Sequence, residues 1–483
     1  MEKAASPYRV HIETFGCQMN EYDTELVRSL LKAEGFALTE DREQADVILM
    51  NTCAIREHAH NKVYGHLADL KAIKRQRNLV VGVLGCMAQN LKTDLVGTES
   101  IVDVLAGPDS YRRLPGLLTE AIKSQEKGVA QKGVAVDLSE YETYDDIMPE
   151  RAEGVNAWIA VMRGCDNFCT FCVVPYTRGR ERSRDPYGII REAEHLASRG
   201  YKQVTLLGQN VNSYRFEARE GARPTGKEPV LAGSGWVGEI KPGAGGCTWD
   251  FARLITAVAD LPGIERVRFT SPHPKDFPPA LLDAVAGHPN ICKHIHLPLQ
   301  AGNDRILRLM SRTYGRKDYL ALVEDIRRRR SDIALTTDII CGFCTETEEE
   351  FLDTYRVMEE VGFHAAFIFK YSERKLTIAA RKYPDDVPER VKSERVTRLV
   401  DLQKSISLRK NEALLGQTVT VLVEGDAKKS SAQWMGRTDG NLTVVWEKNG
   451  SGIRPGDFVP ITIMRASATT LFGDEAPLIP PGQ

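Results

Sequence analysis

The chain has almost no net charge: 64 Lys and Arg against 66 Asp and Glu leave −2 over 483 residues. That excludes a global basic field, so any nucleic-acid surface has to come from local patches. No apolar run approaches the roughly 18 residues of a membrane span, which predicts no membrane association. The opening MEKAASPYRV contains no apolar stretch of a secretory signal. Cysteine is sparse, ten in the chain, far below the density of a disulfide scaffold. Without an export signal the expected compartment is the cytoplasm, where cysteines that cluster point to metal or redox chemistry.

At roughly 150 residues per domain the length suggests about three domains, and the pattern predicts an α/β protein in three parts. Residues 7–125 read as a small parallel-sheet domain. Tyr8, Val10 and Ile12 alternate as a strand, and Tyr22, Leu26 and Leu30 form a helix stripe that Gly35 stops. Residues 47–50 and 79–84 are short apolar runs of the kind that make buried parallel strands. The polar stretch 126–150 is expected to be a linker. Residues 151–410 alternate strands (158–162, 203–207, 266–270, 294–299, 335–340, 366–369) with helices (among them 189–199, 250–261, 318–330 and 348–361). Six βα-type repeats predict a parallel sheet curved into a barrel or part of one, a partial (βα)6 barrel. A Gly- and Pro-rich insertion at about 216–248 interrupts the rhythm. A charged helix then leads to residues 413–476, where short strands and Gly, Asp and Asn turns predict a small β-barrel, a fold often used on RNA.

Residues 163–172 read RGCDNFCTFC, placing Cys165, Cys169 and Cys172 on one loop at the end of the first barrel strand. Three thiolates hold three corners of a 4Fe–4S cluster and leave one iron open. An open iron can chelate S-adenosylmethionine, whose sulfonium an electron then splits to a radical. Structural zinc wants four ligands, and this loop offers three. A second trio is scattered in sequence, yet Cys17, Cys53 and Cys86 each follow one of the three strands read in the first domain. Carboxyl ends of neighbouring parallel strands lie side by side, so three loops deliver three thiols to one crevice. The alternative is three buried thiols below short strands. Cys247, Cys292, Cys341 and Cys344 are expected to be unliganded.

These residues, together with TFGCQMNEYD around Cys17, NTCAIREHA around Cys53, VLGCMAQ around Cys86, RGCDNFCTFCVVPYTRGRERSR, LGQNVNSY, RFTSPHP and HLPLQAGND, carry a resemblance across nearly the whole chain. The sequence resembles the methylthiotransferase family of radical S-adenosylmethionine enzymes, in its MiaB-type, tRNA-modifying branch. The resemblance implies a radical-SAM barrel in the middle and a TRAM-like RNA-binding barrel at 413–476. It implies that Cys165, Cys169 and Cys172 ligate the radical 4Fe–4S cluster. Cys17, Cys53 and Cys86 would ligate an auxiliary 4Fe–4S cluster that delivers sulfur. S-adenosylmethionine serves as radical source and methyl donor, and no catalytic residue beyond the cluster ligands is implied. The substrate implied is N6-isopentenyladenosine beside the anticodon of tRNA, methylthiolated at C2. Gln18 and Met19 carry that choice against relatives acting on threonylcarbamoyl-adenosine or a ribosomal protein aspartate. Also implied are an electron donor and a sulfur source of unknown identity; a monomer is expected.

Two loops depart from the family pattern: 342–347 reads GFCTET and 372–377 reads SERKLT. Arg178, Arg180, Arg182 and Arg184 form a basic run that suits phosphate contact or a solvated, partly salt-bridged face. Gln209, Asn210 and Gln300 follow or end barrel strands and are expected to touch S-adenosylmethionine. In the last segment Lys428 and Lys429 suit RNA phosphates; Trp434 suits base stacking and Trp446 core packing. An RNA-binding iron–sulfur electron-transfer protein, with no open iron, is the alternative of a different class.

Overall fold

The computed structural model describes residues 8–54, 57–97, 100–129, 131–217 and 248–476; Cys247 and most of the insertion lie outside them. The first strands are β1 (Arg9–Phe15), β2 (Ala37–Leu38), β3 (Val47–Thr52), β4 (Val80–Leu84), β5 (Val104–Ala106) and β6 (Gly133–Ala135). They form one parallel sheet in the order β2-β1-β3-β4-β5-β6. Val47 and Leu49 face helices α1 (Gln18–Ala33) and α4 (Leu114–Glu126), while Ile48 and Met50 face α2 (Glu57–Gln76) and α3 (Gly85–Leu91). Burial on both faces is why these strands read as unbroken apolar runs. Sequence reading found three strands; β2, β5 and β6, of two, three and three residues, are too short to leave a period.

The segment 126–150 is not a free linker. It supplies β6 to the sheet, and its Tyr144 is fully buried, with the hydroxyl donating to Pro108 O at 3.0 Å. Backbone pairing and one large aromatic tie down a stretch that is polar on average.

The central part is built from β7 (Asn156–Ala160), β8 (Met162–Arg163), α5 (Val174–Arg178), β9 (Arg182–Ser183), α6 (Pro186–Ser198), β10 (Gln203–Leu207), β11 (Arg215–Glu217), β12 (Thr248–Asp250), α7 (Phe251–Ala259) and β13 (Arg266–Phe269). It continues with α8 (Pro279–Gly287), β14 (His294–His296), α9 (Asp304–Leu309), α10 (Arg316–Arg329), β15 (Ala334–Cys341), α11 (Glu348–Val361), β16 (Ala365–Lys370) and α12 (Ile378–Lys382). Two parallel three-stranded sheets, β7-β10-β13 and β14-β15-β16, meet at a bridge between Val267 and Ile291. The result is an open six-stranded half-barrel whose outer face is covered by helices and whose inner face is mostly polar. Helix α13 (Glu389–Glu412) packs Leu399, Leu402 and Ile406 against the same core.

The last strands are β17 (Thr418–Ala427), β18 (Ser430–Arg437), β19 (Thr443–Glu447), β20 (Phe458–Ala466) and β21 (Leu471–Glu475), closed as a barrel in the order β17-β18-β19-β21-β20. Trp446 is buried in its core, as expected. Two arginines of β13 clamp this barrel to the half-barrel. Arg266 donates to the carbonyls of Arg437 (2.6 Å) and Thr420 (3.1 Å), and Arg268 to those of Thr438 (2.6 Å) and Asp439 (2.8 Å). Among the described residues no helix is long and apolar enough to cross a membrane.

Hydrogen bonds from charged donors are among the stronger ones. Arg268→Ala removes two of them and is expected to cost about 2–4 kcal/mol, read as a lower urea midpoint and faster proteolysis between α13 and β17. An unchanged midpoint and cleavage pattern would mean that Arg266 and α13 hold the two barrels together without Arg268.

Candidate active site: two cysteine trios in one cavity

Three adjacent strands of the first sheet end in cysteines. Cys17 caps the start of α1 just after β1, Cys53 follows β3, and Cys86 opens α3 just after β4. Gly16 makes the approach possible: its φ is +128°, and a Cβ there would collide with the Cβ of Cys53. Cys17 Sγ lies 3.6 Å from Asn20 Oδ1. The hydrogen bond from Cys53 pulls the Cys17 thiol down to about 6 against the effect of burial, and the charge of Arg178 helps. Burial pushes Cys86 up, opposed by Arg178.

The second trio sits on the loop between β8 and α5. Gly164, at φ +80°, passes so close to the Arg180 carbonyl that no side chain fits. Gly164 N donates to Gln209 Oε1 at 2.6 Å and Cys165 N to Gly179 O at 3.1 Å. Thr170 anchors the loop's middle, with N donating to Met310 O (3.0 Å) and Oγ1 to Leu309 O (2.7 Å). Two donors reach the sulfurs: Asn167 Nδ2 to Cys165 (3.5 Å) and Arg312 Nη1 to Cys169 (3.3 Å). Burial pushes the Cys165 thiol up to about 11 and raises Cys172 further.

All six cysteines line one cavity of about 280 Å³. Between the trios lies a buried charge triad. Asp23 Oδ1 accepts from Arg163 Nη2 and Asp23 Oδ2 from Arg178 Nη2, both at 2.8 Å, while Arg178 Nε lies 3.2 Å from Cys86 Sγ. Arg163 also stacks under the Tyr144 ring, 4.8 Å from its centroid. Gln209, Gln300, His273, Ser271 and Asp338 are also part of the wall, as are Gln18 and Met19 beside Cys17. Gln300 and Ser271 sit at φ +68° and +59°, strained backbone of the kind found at functional sites. Burial first, then Arg312 and Lys275, pulls His273 down to about 2. It is therefore neutral, and its Nδ1 accepts from Lys275 N at 3.3 Å, which leaves the proton on Nε2.

Other expected residues fall elsewhere. Arg178 and Arg182 are not RNA contacts: both are buried, Arg178 on Asp23 and Arg182 on Asp109 at 2.9 Å. Arg184 is likewise buried, on Asp145 and Glu192. Each of these cations is buried against a carboxylate of the protein, out of reach of a phosphate. Only Arg180 of the run is exposed, 3.1 Å from Asp166. Asn210 is not on the cavity wall; its Nδ2 donates to Glu181 and Asp276, both at 3.1 Å. Lys428 and Lys429 are exposed at the turn between β17 and β18, and the Lys448 ammonium lies 4.0 Å over the half-buried Trp434 ring. Cys292, Cys341 and Cys344 are buried away from the cavity. The altered 342–347 loop closes on itself, with Glu346 Oε2 accepting from Gly342 N (2.6 Å) and Arg395 (2.8 Å). The 372–377 loop leads into α12, whose Ala379 N donates to Thr170 O of the radical loop at 2.7 Å.

Sequence reading did not single out His273, Arg312 or Asp338. The position of His273 just past a strand end was a usable signal. Asp338 is the charged member of an otherwise uncharged strand, and Arg312 left no signal.

Three family descriptions match in tandem: "Uncharacterized protein family UPF0004" over residues 9–107, "Radical SAM superfamily" over 159–358 and "TRAM domain" over 412–475. A tRNA-2-methylthio-N(6)-dimethylallyladenosine synthase of Porphyromonas gingivalis is 45% identical, over 96% of this chain and 94% of that protein. One from Bacteroides thetaiotaomicron is also 45% identical, over 97% and 96%. The chain belongs to this synthase family. Among solved structures, the radical S-adenosylmethionine methyltransferase TsrM of Kitasatospora setae, with cobalamin and a 4Fe–4S cluster bound, shares the fold. Its TM-score is 0.51 at 13% identity, covering 77% of each chain.

The family's cofactors are S-adenosylmethionine and 4Fe–4S clusters, and the residues present fit them. Each trio leaves a fourth position free. Among the described residues no three ligating side chains converge as a single ion would require, whereas a cluster spaces its thiolates by its own width. The burial that opposes charge on Cys86, Cys165 and Cys172 is reversed by a bound cation. Asp23→Asn strips the charge shared by two buried guanidiniums and is expected to cost about 3–5 kcal/mol, measured by urea unfolding of the iron-free protein. A loss below about 1 kcal/mol, the size of an exposed pair, would mean that the triad is solvated.

Proposed function

We propose that this chain replaces the C2 hydrogen of N6-isopentenyladenosine, beside the anticodon of tRNA, with a methylthio group. One observation carries the reading: cysteines from two domains, each trio one ligand short of a full set, line the same cavity. The curated relatives bear the name of this reaction. When bound, the two clusters supply one-electron cleavage of S-adenosylmethionine and a sulfur atom for transfer.

The chain's own residues do the rest. Cys165, Cys169 and Cys172 hold the radical cluster, Cys17, Cys53 and Cys86 the auxiliary one. Gln209 fixes the radical loop through Gly164 N, Arg312 donates to Cys169 and Arg178 to Cys86. His273, held neutral by burial, offers one N–H on the cavity wall. Gln300, on the cavity wall, would contact S-adenosylmethionine. Lys428 and Lys429, exposed at the turn between β17 and β18, meet tRNA phosphates and position the RNA without reading its bases. The protein works as a monomer in the cytoplasm, served by an external electron donor and sulfur source.

Anaerobic reconstitution should load about eight irons, four per cluster. Replacing Cys17, Cys53 and Cys86 by alanine should leave about four irons and intact S-adenosylmethionine cleavage without methylthio product. Replacing Cys165, Cys169 and Cys172 should leave about four irons and no cleavage. Nucleosides from a deletion strain should retain N6-isopentenyladenosine and lack its methylthio form; an unaltered nucleoside profile refutes the substrate.

A further inference from the structure

The inner face of the last half-barrel strand breaks the rule that large apolar side chains go inside. Phe367 and Phe369 on β16 are 54% and 41% exposed, while Ala366 and Ile368 on the outer face pack against the core. Contiguous exposed apolar side chains on one strand face are a mark of a binding surface. Strand register sets their neighbours: Phe367 lies beside Asp338 and Phe369 beside Ile340 on β15. Asp338 is part of the six-cysteine cavity wall, so the aromatic face continues that wall towards the open edge of the half-barrel. His296 meets the Phe367 ring edge-on, centroids 5.9 Å apart, and its Nε2 lies 3.2 Å from Asp338 Oδ2.

We infer that this face binds the N6-alkylated adenine of the RNA, with Phe367 stacking on the ring, Phe369 and Ile340 against the alkyl chain, and the Asp338 carboxylate accepting the remaining N6–H. The inference rests on the functional reading above and names the subsite that reading lacks. An N6-alkylated adenine has a flat π-face, one exocyclic N–H and an apolar branch. Two paired strands offer an aromatic ring, a carboxylate and an apolar strip side by side, continuous with the cavity where the chemistry is done. Base–aromatic stacking does not depend on which base is bound, so discrimination falls to the alkyl contact and the N–H acceptor. An unalkylated adenine brings the stack but not the branch.

The test uses the full-length, cluster-loaded protein and two anticodon stem-loop RNAs, one with N6-isopentenyladenosine and one with adenosine at the same position. Binding is read by fluorescence anisotropy under anaerobic conditions, beside methylthiolation of the alkylated RNA. The wild type should prefer the alkylated RNA by about tenfold. In Phe367→Ala/Phe369→Ala both RNAs should bind more weakly, the alkylated one losing more, so that the preference collapses towards unity. Phe369→Leu, which keeps an apolar side chain, should retain most of the preference, and Phe367→Leu should weaken both RNAs alike. A wild type that methylthiolates the RNA and a double variant that keeps the full preference overturn the subsite alone. A wild type with neither preference nor product overturns the functional reading, and the subsite with it. A wild type that dimerises through this face, with a monomeric double variant by light scattering, also overturns the subsite.

Discussion

Asp23 holds one negative charge between two buried guanidiniums, those of Arg163 and Arg178, and is itself fully excluded from water. Charges taken out of water are costly unless each finds a close partner. Here two cations share one anion, leaving an excess of positive charge beside Cys86, which Arg178 touches. The Arg163 Nε and Nη1 and the Arg178 Nη1 have no hydrogen-bond partner among the described residues. That imbalance is costly in a protein without metal and favourable beside anionic sulfur. Asp23 belongs to α1 of the first domain and the two arginines to the half-barrel, so the same triad also fixes how the domains meet. Arg182 on Asp109 and Arg184 on the Tyr22 hydroxyl tie the same two domains, and together these contacts hold the cysteine trios side by side.

Around this joint the rest of the molecule acts as a frame. Gly16 lets two cysteines of the auxiliary trio approach, and Gly164 lets the radical loop run against the Arg180 carbonyl. Tyr144 covers Arg163 from a segment that is polar in composition but folded into the sheet. At the other end, Arg266 and Arg268 hold the small barrel by its backbone, so an RNA bound there stands at a fixed distance from the cavity. Side chains of the small barrel can then vary without moving it.

Much of this was legible in the sequence because it follows from strand physics. Short apolar runs ending in Gly-Cys or Thr-Cys mark buried parallel strands whose ends share a crevice, and both trios lie at such ends. The six half-barrel strands were legible for the same reason. What failed was judging charge from local sequence. Arg178, Arg182 and Arg184 look like a basic patch until Asp23, Asp109, Asp145 and Glu192 arrive from far along the chain to bury them. Strands of two or three residues carry no period, so β2, β5 and β6 went unread. The 342–347 loop departs from the family pattern yet is held by Glu346 and Arg395, a pair 49 residues apart that no local window joins.

The central claim is that the two cysteine trios serve one reaction space, and electron paramagnetic resonance tests it directly. In dithionite-reduced, reconstituted protein, clusters sharing a cavity interact magnetically. The wild-type spectrum should therefore differ from the sum of the spectra of the two variants that each lack one trio. A wild-type spectrum that equals the simple sum would contradict the account.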